Sequence, residues 1–311
     1  MAQPGSAPAW GAGGRWFKSS RPDHSSQKKK AMGLGFFIAS LLSWILPPPV
    51  ARFIAEATAI VLFYVGLKGR RRIYEENLRM ILPPGSNVRK IALRGFCNFG
   101  LFVYEFFISC RLSKEKFRST VVLHGVDTLK RLWREGRGII AATAHLGHWE
   151  LGGMRTAMEG FPVMAIALAP RSKYVKWLFT KLREHWGGKV VYLESMGTKV
   201  IKHFKRGGIL GILGDRDYIG NGREVMFFGE KVRFPVGPWR LAARFNVPLF
   251  PTFCVREKDG KYHLYFEEPL FGDEDTLARS WARILEKYVR RYPDQWYAFV
   301  PMWRGGWTLQ F

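Results

Sequence analysis

Apolar residues in this chain change their pattern near Leu123. Before it they come in long runs. An uncharged run from Ala31 to Ala51 is broken by Pro47-Pro48-Pro49, and a second, Ala57 to Leu67, leads straight into Lys68-Gly69-Arg70-Arg71-Arg72. The helical part of the first run, Met32 to Leu46, would extend roughly 22 Å, short of the roughly 30 Å of a bilayer's hydrocarbon core. From Arg71 to Leu112 the spacing stays helical, with Pro83-Pro84-Gly85 as a turn between two helices. Beyond Leu123, short β-rich runs alternate with amphipathic stretches. Strands are expected at Gly138–Ala144, Pro162–Leu168, Lys189–Leu193, Ile209–Leu213, Leu249–Arg256 and Tyr262–Glu267, the last two joined by a Lys258-Asp259-Gly260 hairpin turn. Helices are expected at Glu150–Met158, Ser172–Trp186, Met196–Lys205 and about Asp275–Tyr292. Such alternation predicts an α/β fold, a mainly parallel sheet flanked by helices, with an N-terminal membrane-binding helical segment in front of it.

Charge sharpens the N-terminal reading. Lys and Arg number 49 against 25 Asp and Glu, a formal net charge of +24, which calls for an anionic partner. Zinc-ligand Cys/His spacing and the aromatic RNA-recognition motif are both missing, so nucleic acid is excluded in favour of an anionic membrane surface. Residues 1–30 hold six basic residues against the single Asp23 and read as a disordered basic tail ending in Lys28-Lys29-Lys30. Basic clusters thus flank residues 31–69 on both sides. Both prefer the cytoplasm, which favours an apolar hairpin that dips into the membrane and returns over one clean crossing. The long polar leader and lack of a small-residue cleavage site argue against a signal peptide. Residues 70–311 then form the α/β domain. Cys97, Cys110 and Cys254 read as reduced thiols.

The chemistry concentrates in two blocks that each follow an expected buried strand. His145-Leu146-Gly147-His148-Trp149-Glu150 comes first. On a continuous helix His145 and Glu150 would point about 140° apart. With His145 ending the strand, Gly147 turning and Glu150 opening the helix, they can converge. Glu150 would then hold one imidazole nitrogen while the other takes a proton from a substrate hydroxyl. His145 and His148 lack the third ligand a metal site needs. The second block, Gly214-Asp215-Arg216-Asp217, offers a guanidinium suited to bidentate phosphate binding. Its Asp-x-Asp triplet also fits the metal site of a glycosyltransferase, with Asp215 and Asp217 as ligands, and that reading stays open as the alternative. A non-catalytic basic membrane protein would explain the charge alone. No Ser or Cys has a nucleophile-elbow setting, which disfavours a covalent esterase.

Taken together, in this order and spacing, the blocks resemble the bacterial lysophospholipid acyltransferase-like family that includes the late lipid A lauroyl and myristoyl acyltransferases. The likeness runs from about Arg70 to Arg304. It rests on Arg71-Arg72 with Asn77-Leu78, His-x4-Glu, Arg183 with Gly187, Asp-Arg-Asp, Phe227-Phe228-Gly229, Phe234-Pro235-Val236-Gly237-Pro238, and Tyr292-Pro293-Asp294-Gln295-Trp296. The resemblance implies transfer of a fatty acyl chain from an acyl-carrier protein or acyl-CoA thioester to a hydroxyl of a membrane (phospho)glycolipid, such as a lipid A precursor. It implies no acyl-enzyme and no further cofactor, at the cytoplasmic face of the inner membrane. His145 is then the general base assisted by Glu150, with Arg171, Arg183, Asp215, Arg216 and Asp217 as substrate-binding candidates. Two departures bear on the acceptor: His148 stands where the lipid A branch commonly has Asn, and Arg216 where it often has Gln. The Arg version is similar to the phosphatidylinositol mannoside acyltransferases.

Overall fold

Seven strands form the central sheet: β1 (Val121–His124), β2 (Ile139–Thr143), β3 (Val163–Ala167), β4 (Lys189–Tyr192), β5 (Ile209–Leu213), β8 (Leu249–Arg256) and β9 (Tyr262–Phe266), in the order β1-β9-β8-β2-β5-β3-β4. The computed structural model describes residues 24–218 and 220–303, with side chains from residue 33 onward. The five strands from β8 to β4 run parallel, as the alternating pattern predicts, while β9 turns back antiparallel to β8 through the expected hairpin and β1 pairs parallel to β9. Strand β8 is buried over seven of its eight residues, which is why it reads as an unbroken apolar run and sits inside the sheet.

Alternate strand residues feed two cores, one on each face. Ile140, Ala142, Leu210 and Ile212 pack with helices α10 (Gly237–Phe245) and α11 (Glu274–Arg291), around Trp239 and Trp281. On the opposite face Ile139, Ile209, Cys254 and Leu264 pack with α5 (Lys114–Thr120), α6 (Val126–Arg134), α7 (Trp149–Met158) and α8 (Lys173–Glu184). Helix α9 (Gly197–Phe204) joins the first core through Val200 and Phe204. The short β1 and α6, and a separate hairpin of β6 (Arg223–Phe227) and β7 (Glu230–Phe234), are elements the apolar pattern alone does not predict. Phe228 and Gly229 turn that hairpin with φ of 53° and 81°, both positive as a two-residue type I′ turn demands. The Phe-Phe-Gly motif is therefore a turn whose first Phe, Phe227, is buried.

The N-terminal helices lie against this domain. Helix α1 (His24–Ile45) ends just before Pro47, and α2 (Pro48–Val61) starts with proline at its first position and continues through a π-helical turn to Gly66. Helix α1 already contains Lys28-Lys29-Lys30; the rest of the expected basic tail, residues 1–23, lies outside the described residues. Helices α3 (Lys68–Ile81) and α4 (Val88–Ile108) follow on either side of the Pro83-Pro84-Gly85 turn. One face of α1 is packed from Phe36 to Trp44: Phe36 on Phe107 and Phe179, the Ser40 hydroxyl 3.1 Å from that of Tyr174, and Arg111 donating to the carbonyls of Ser43 and Trp44. Helix α2 approaches α4 so closely that a Cβ on Gly100 would stand 2.9 Å from the Ala55 carbonyl. The outer faces carry Leu34, Ile38, Leu41, Ile45, Phe53 and Val65, all exposed. Two stretches among the described residues are long and apolar enough to cross a membrane, Pro48–Gly66 and Val88–Arg111. The second is a packed helix, tied to the sheet where Arg256 meets Glu105 at 2.6 Å.

Candidate active site

The register of two neighbouring strands decides what meets at their ends. Thr143 of β2 lies opposite Leu213 of β5, so the residues two places further on, His145 and Asp215, emerge side by side at the carboxyl end of the sheet, where α/β sites form. His145 Nδ1 is 2.8 Å from Asp215 Oδ1, and the His145 backbone N–H donates to Asp215 Oδ2 at 3.0 Å. An ionised carboxylate only accepts, so the ring hydrogen sits on Nδ1 and Nε2 carries the lone pair. Asp215 is wholly buried. Burial alone would raise its pKa, but His145 and Arg216 hold the carboxyl below its ordinary range. Burial, joined by the Arg216 guanidinium, lowers the imidazole's pKa; Asp215 and, less strongly, Glu150 pull it back up. The net result is a neutral imidazole whose free nitrogen can accept a proton.

The turn after His145 is fixed by backbone contacts. Gly147 has φ 61°, and a Cβ there would come within 2.0 Å of the Cys254 carbonyl, so only glycine fits. Its N–H donates to the Gln295 carbonyl at 2.8 Å, and the Tyr297 N–H donates to the His145 carbonyl at 2.9 Å. The Tyr-Pro-Asp-Gln-Trp segment thus clamps the loop from the far end of the chain. His148 is buried at the N-cap of α7, where its Nδ1 accepts the Leu151 N–H at 3.3 Å. Burial next to Arg256 pushes its pKa well down, so it stays a neutral cap.

Glu150 opens α7 as expected, but it does not hold the imidazole. Arg183 on α8 donates from Nε to Glu150 Oε2 at 2.8 Å and from Nη2 to Oε1 at 2.6 Å, and Trp149 Nε1 adds a bond at 3.2 Å. Both carboxylate oxygens are occupied, and the nitrogen assigned to Glu150 from the sequence belongs to Asp215. The reason is strand order: β5 lies directly beside β2, and one sequence does not reveal that adjacency. Arg183 stays a cation despite burial, because Glu150 stabilises its charge.

The other candidates divide. The Arg216 guanidinium donates to the Tyr297 carbonyl and, at 3.2 Å, to the Tyr218 hydroxyl, so its fork serves the site's own frame. Asp217 accepts the N–H groups of Gly220 and Gly222 at 2.9 and 2.6 Å, shaping the loop beyond the motif. The two carboxylates of the Asp-x-Asp triplet thus serve different partners, His145 and the loop. Arg171 is exposed in the segment between β3 and α8. Tyr218 carries no motif of its own, yet its hydroxyl stands 3.5 Å from His145 Nε2; its place directly after Asp-Arg-Asp is the signal that points to it. Burial pushes the Cys254 thiol far up, so it stays protonated.

Behind this site lies a cavity of about 110 Å³ between α7 and the sheet. Trp149, Glu150 and Arg183 line it where the strands end, with Leu264 and Phe266 of β9 at the same level, and Ala165 and Ile209 line it deeper in. A paired acid and imidazole at a strand end, beside a cavity lined largely by apolar residues, can move a proton next to an apolar ligand. Residues 23–305 match the model of the bacterial lipid A biosynthesis acyltransferases, and the chain belongs to that family. It is 27% identical over 252 residues to a phosphatidylinositol mannoside acyltransferase of Mycobacterium tuberculosis, covering 77% of this chain and 79% of that protein. It is 24% identical over 270 residues to the lipid A biosynthesis palmitoleoyltransferase of Escherichia coli K12, covering 84% and 87%. The crystal structure of the 1-acyl-sn-glycerophosphate acyltransferase PlsC from Thermotoga maritima aligns with 79% of this chain and 99% of its own, at 18% identity and a TM-score of 0.37.

Proposed function

We propose that this acyltransferase moves a fatty acyl chain from an acyl-carrier protein or acyl-CoA thioester to a hydroxyl of a membrane phosphoglycolipid, with His145 as general base. The observation that carries the proposal is the His145–Asp215 pair at 2.8 Å, with the imidazole ring 5.1 Å from that of Trp149, which lines the apolar cavity. Nε2 takes the acceptor hydroxyl's proton as the oxygen attacks the thioester carbonyl carbon. Asp215 keeps the hydrogen on Nδ1 and stabilises the imidazolium that forms. The tetrahedral intermediate collapses with cleavage of the C–S bond, and the leaving thiolate takes the proton back from Nε2. The acyl tail lies in the cavity. Arg183, held by Glu150 at its mouth, supplies positive charge for the developing oxyanion. Glu150 assists His145 through its field rather than by contact.

Two relatives support the acceptor class, a phosphatidylinositol mannoside acyltransferase and a lipid A biosynthesis palmitoleoyltransferase. Phosphatidylinositol mannoside and lipid A are both phosphorylated glycolipids, and a chain of net charge +24 suits such a substrate. The exposed apolar faces of α1 and α2 support attachment to the inner membrane from the cytoplasmic side, beside the basic run from Lys68 to Arg72. The test is purified His145→Ala protein assayed with an acyl thioester and a phosphoglycolipid acceptor. Turnover falls by about 10²–10⁴-fold if His145 is the base. A folded variant with wild-type turnover would disprove the mechanism.

A further inference from the structure

Several glycines around the site have an obvious structural reason. Gly147 needs its positive φ, and a Cβ on Gly152 would press against Cys254 and Leu264 at 3.0 and 3.1 Å. Gly153 and Gly211 have neither reason. Both adopt ordinary backbone angles, and a Cβ at either would meet nothing within 4 Å. Glycine is an unfavourable residue in the interior of a helix or strand, and Gly153 sits in α7 while Gly211 is the middle residue of β5. In a strand, such a glycine often marks the close approach of something else.

That something has a place on the page, because Gly153 and Gly211 both line the apolar cavity, one from the helix and one from the sheet. The sheet wall is small across three strands in register: Ala165 of β3 and Ala141 of β2 stand opposite Gly211 of β5. Larger residues flank this row on β5, Leu213 towards His145 and Ile209 at the far end. On the other side of β2, Cys254 of β8 and Leu264 and Phe266 of β9 continue the wall at the level of the strand ends. We infer that Gly153 and Gly211, with Ala141 and Ala165, hold open the deep half of the cavity and so set the length of the acyl chain this enzyme accepts. The inference rests on the acyl tail occupying this cavity. A Cβ at either glycine meets no protein atom within 4 Å, so a side chain there starts out into the cavity and takes up space otherwise open to the far methylenes of the acyl chain.

The experiment compares Gly153→Leu and Gly211→Val with the wild type on a series of acyl thioesters from decanoyl to stearoyl, using one phosphoglycolipid acceptor. Gly153→Ala and Gly211→Ala are carried alongside as variants that add only a methyl, and circular dichroism and melting temperature confirm folding. The expected result is a change in the ratio of kcat/KM between long and short donors. It moves towards shorter chains by about tenfold or more for each methylene that no longer fits, in the same direction but less for the alanine variants. An unchanged chain-length profile in the folded variants overturns the inference, as does a loss equal for all donors. The functional reading fails separately: it falls if the wild type transfers no acyl group to any such acceptor, whereas an active wild type with unshifted variants removes only the role of the two glycines.

Discussion

Asp215 and Glu150 both follow the carboxyl ends of neighbouring strands, Asp215 in the loop after β5 and Glu150 in the first turn of α7, and they bear on His145 by different physics. Asp215 touches the ring, accepting from Nδ1 at 2.8 Å and from the backbone N–H of the same residue at 3.0 Å. Glu150 spends both oxygens on Arg183 and reaches His145 only through its field. A carboxylate in contact controls tautomer and orientation, which are lost all at once when the contact goes. A carboxylate at a distance shifts a pKa and positions a cation, effects that are graded. Sequence motifs rank the two the other way, because His-x4-Glu is contiguous while Asp215 lies 70 residues from His145.

The largest way to break this contrast is to remove charge from each without changing size. Asp215→Asn offers the ring an amide N–H where it needs an acceptor. The imidazole then turns or shifts its hydrogen to Nε2, and kcat falls by about 10⁴-fold, as expected for a base in the wrong tautomer. Glu150→Gln also costs most of the activity, but through Arg183: a half-buried guanidinium loses its partner, a change that costs about 3–5 kcal/mol for a buried pair. The two causes separate in a double-mutant cycle. Glu150→Gln combined with Arg183→Gln should be far from additive in both melting temperature and kcat/KM, whereas Asp215→Asn with Arg183→Gln should add. Additive losses for Glu150 and Arg183 would mean that Glu150 meets the substrate directly.

The same contrast explains how much of the molecule could be read in advance. Strands β5 and β8 are expected within the bounds they adopt, because β5 is an apolar run between Gly208 and Gly214 and β8 one that starts after Pro248 and ends in Arg256. The β6–β7 hairpin escapes notice for the opposite reason. Arg223, Glu224, Glu230, Lys231 and Arg233 dominate it, only Val225, Phe227, Val232 and Phe234 face inward, and its turn is Phe-Gly rather than Asn-Gly or Asp-Gly. At the site, His145 and Asp215 are each visible as polar residues past a buried strand. Their pairing needs the fact that β2 and β5 are adjacent, which no local pattern contains. The Glu150–Arg183 contact is hidden in the same way, since it joins two helices whose relative placement the sheet decides.

Tyr218 offers a finer probe. Its hydroxyl lies 3.5 Å from His145 Nε2 and 3.2 Å from Arg216 Nη1, bridging the base to the cation that depresses it. In the proposed mechanism the acceptor hydroxyl approaches His145 Nε2 on the side where the Tyr218 hydroxyl stands. Tyr218→Phe removes the bridge and keeps the ring. The effect should be a rise in the acceptor's KM of several-fold with kcat within about tenfold of wild type, far less than a base variant loses. A kcat collapse as deep as that of His145→Ala would make Tyr218 part of the proton path.

The smallest effect, and the most selective, is in the pH profile. His145 must be neutral to act as base, so the rate rises as pH climbs through its pKa and levels off above it. Burial and Arg216 set that pKa below the ordinary imidazole value, so the wild-type acid limb should lie lower than an unperturbed histidine would place it. Arg216→Gln removes a positive charge that disfavours imidazolium; the pKa rises and the acid limb moves to higher pH. Glu150→Gln removes a negative charge that favours imidazolium; the pKa falls and the limb moves to lower pH. Both shifts should be read from kcat/KM, which reports the free enzyme, on whatever rate survives the substitution. Opposite displacements would establish that the Arg216 and Glu150 charges both reach the base through space, while Asp215 alone holds it. If Glu150→Gln leaves the limb in place, its field does not reach the ring, and the whole of its effect passes through Arg183.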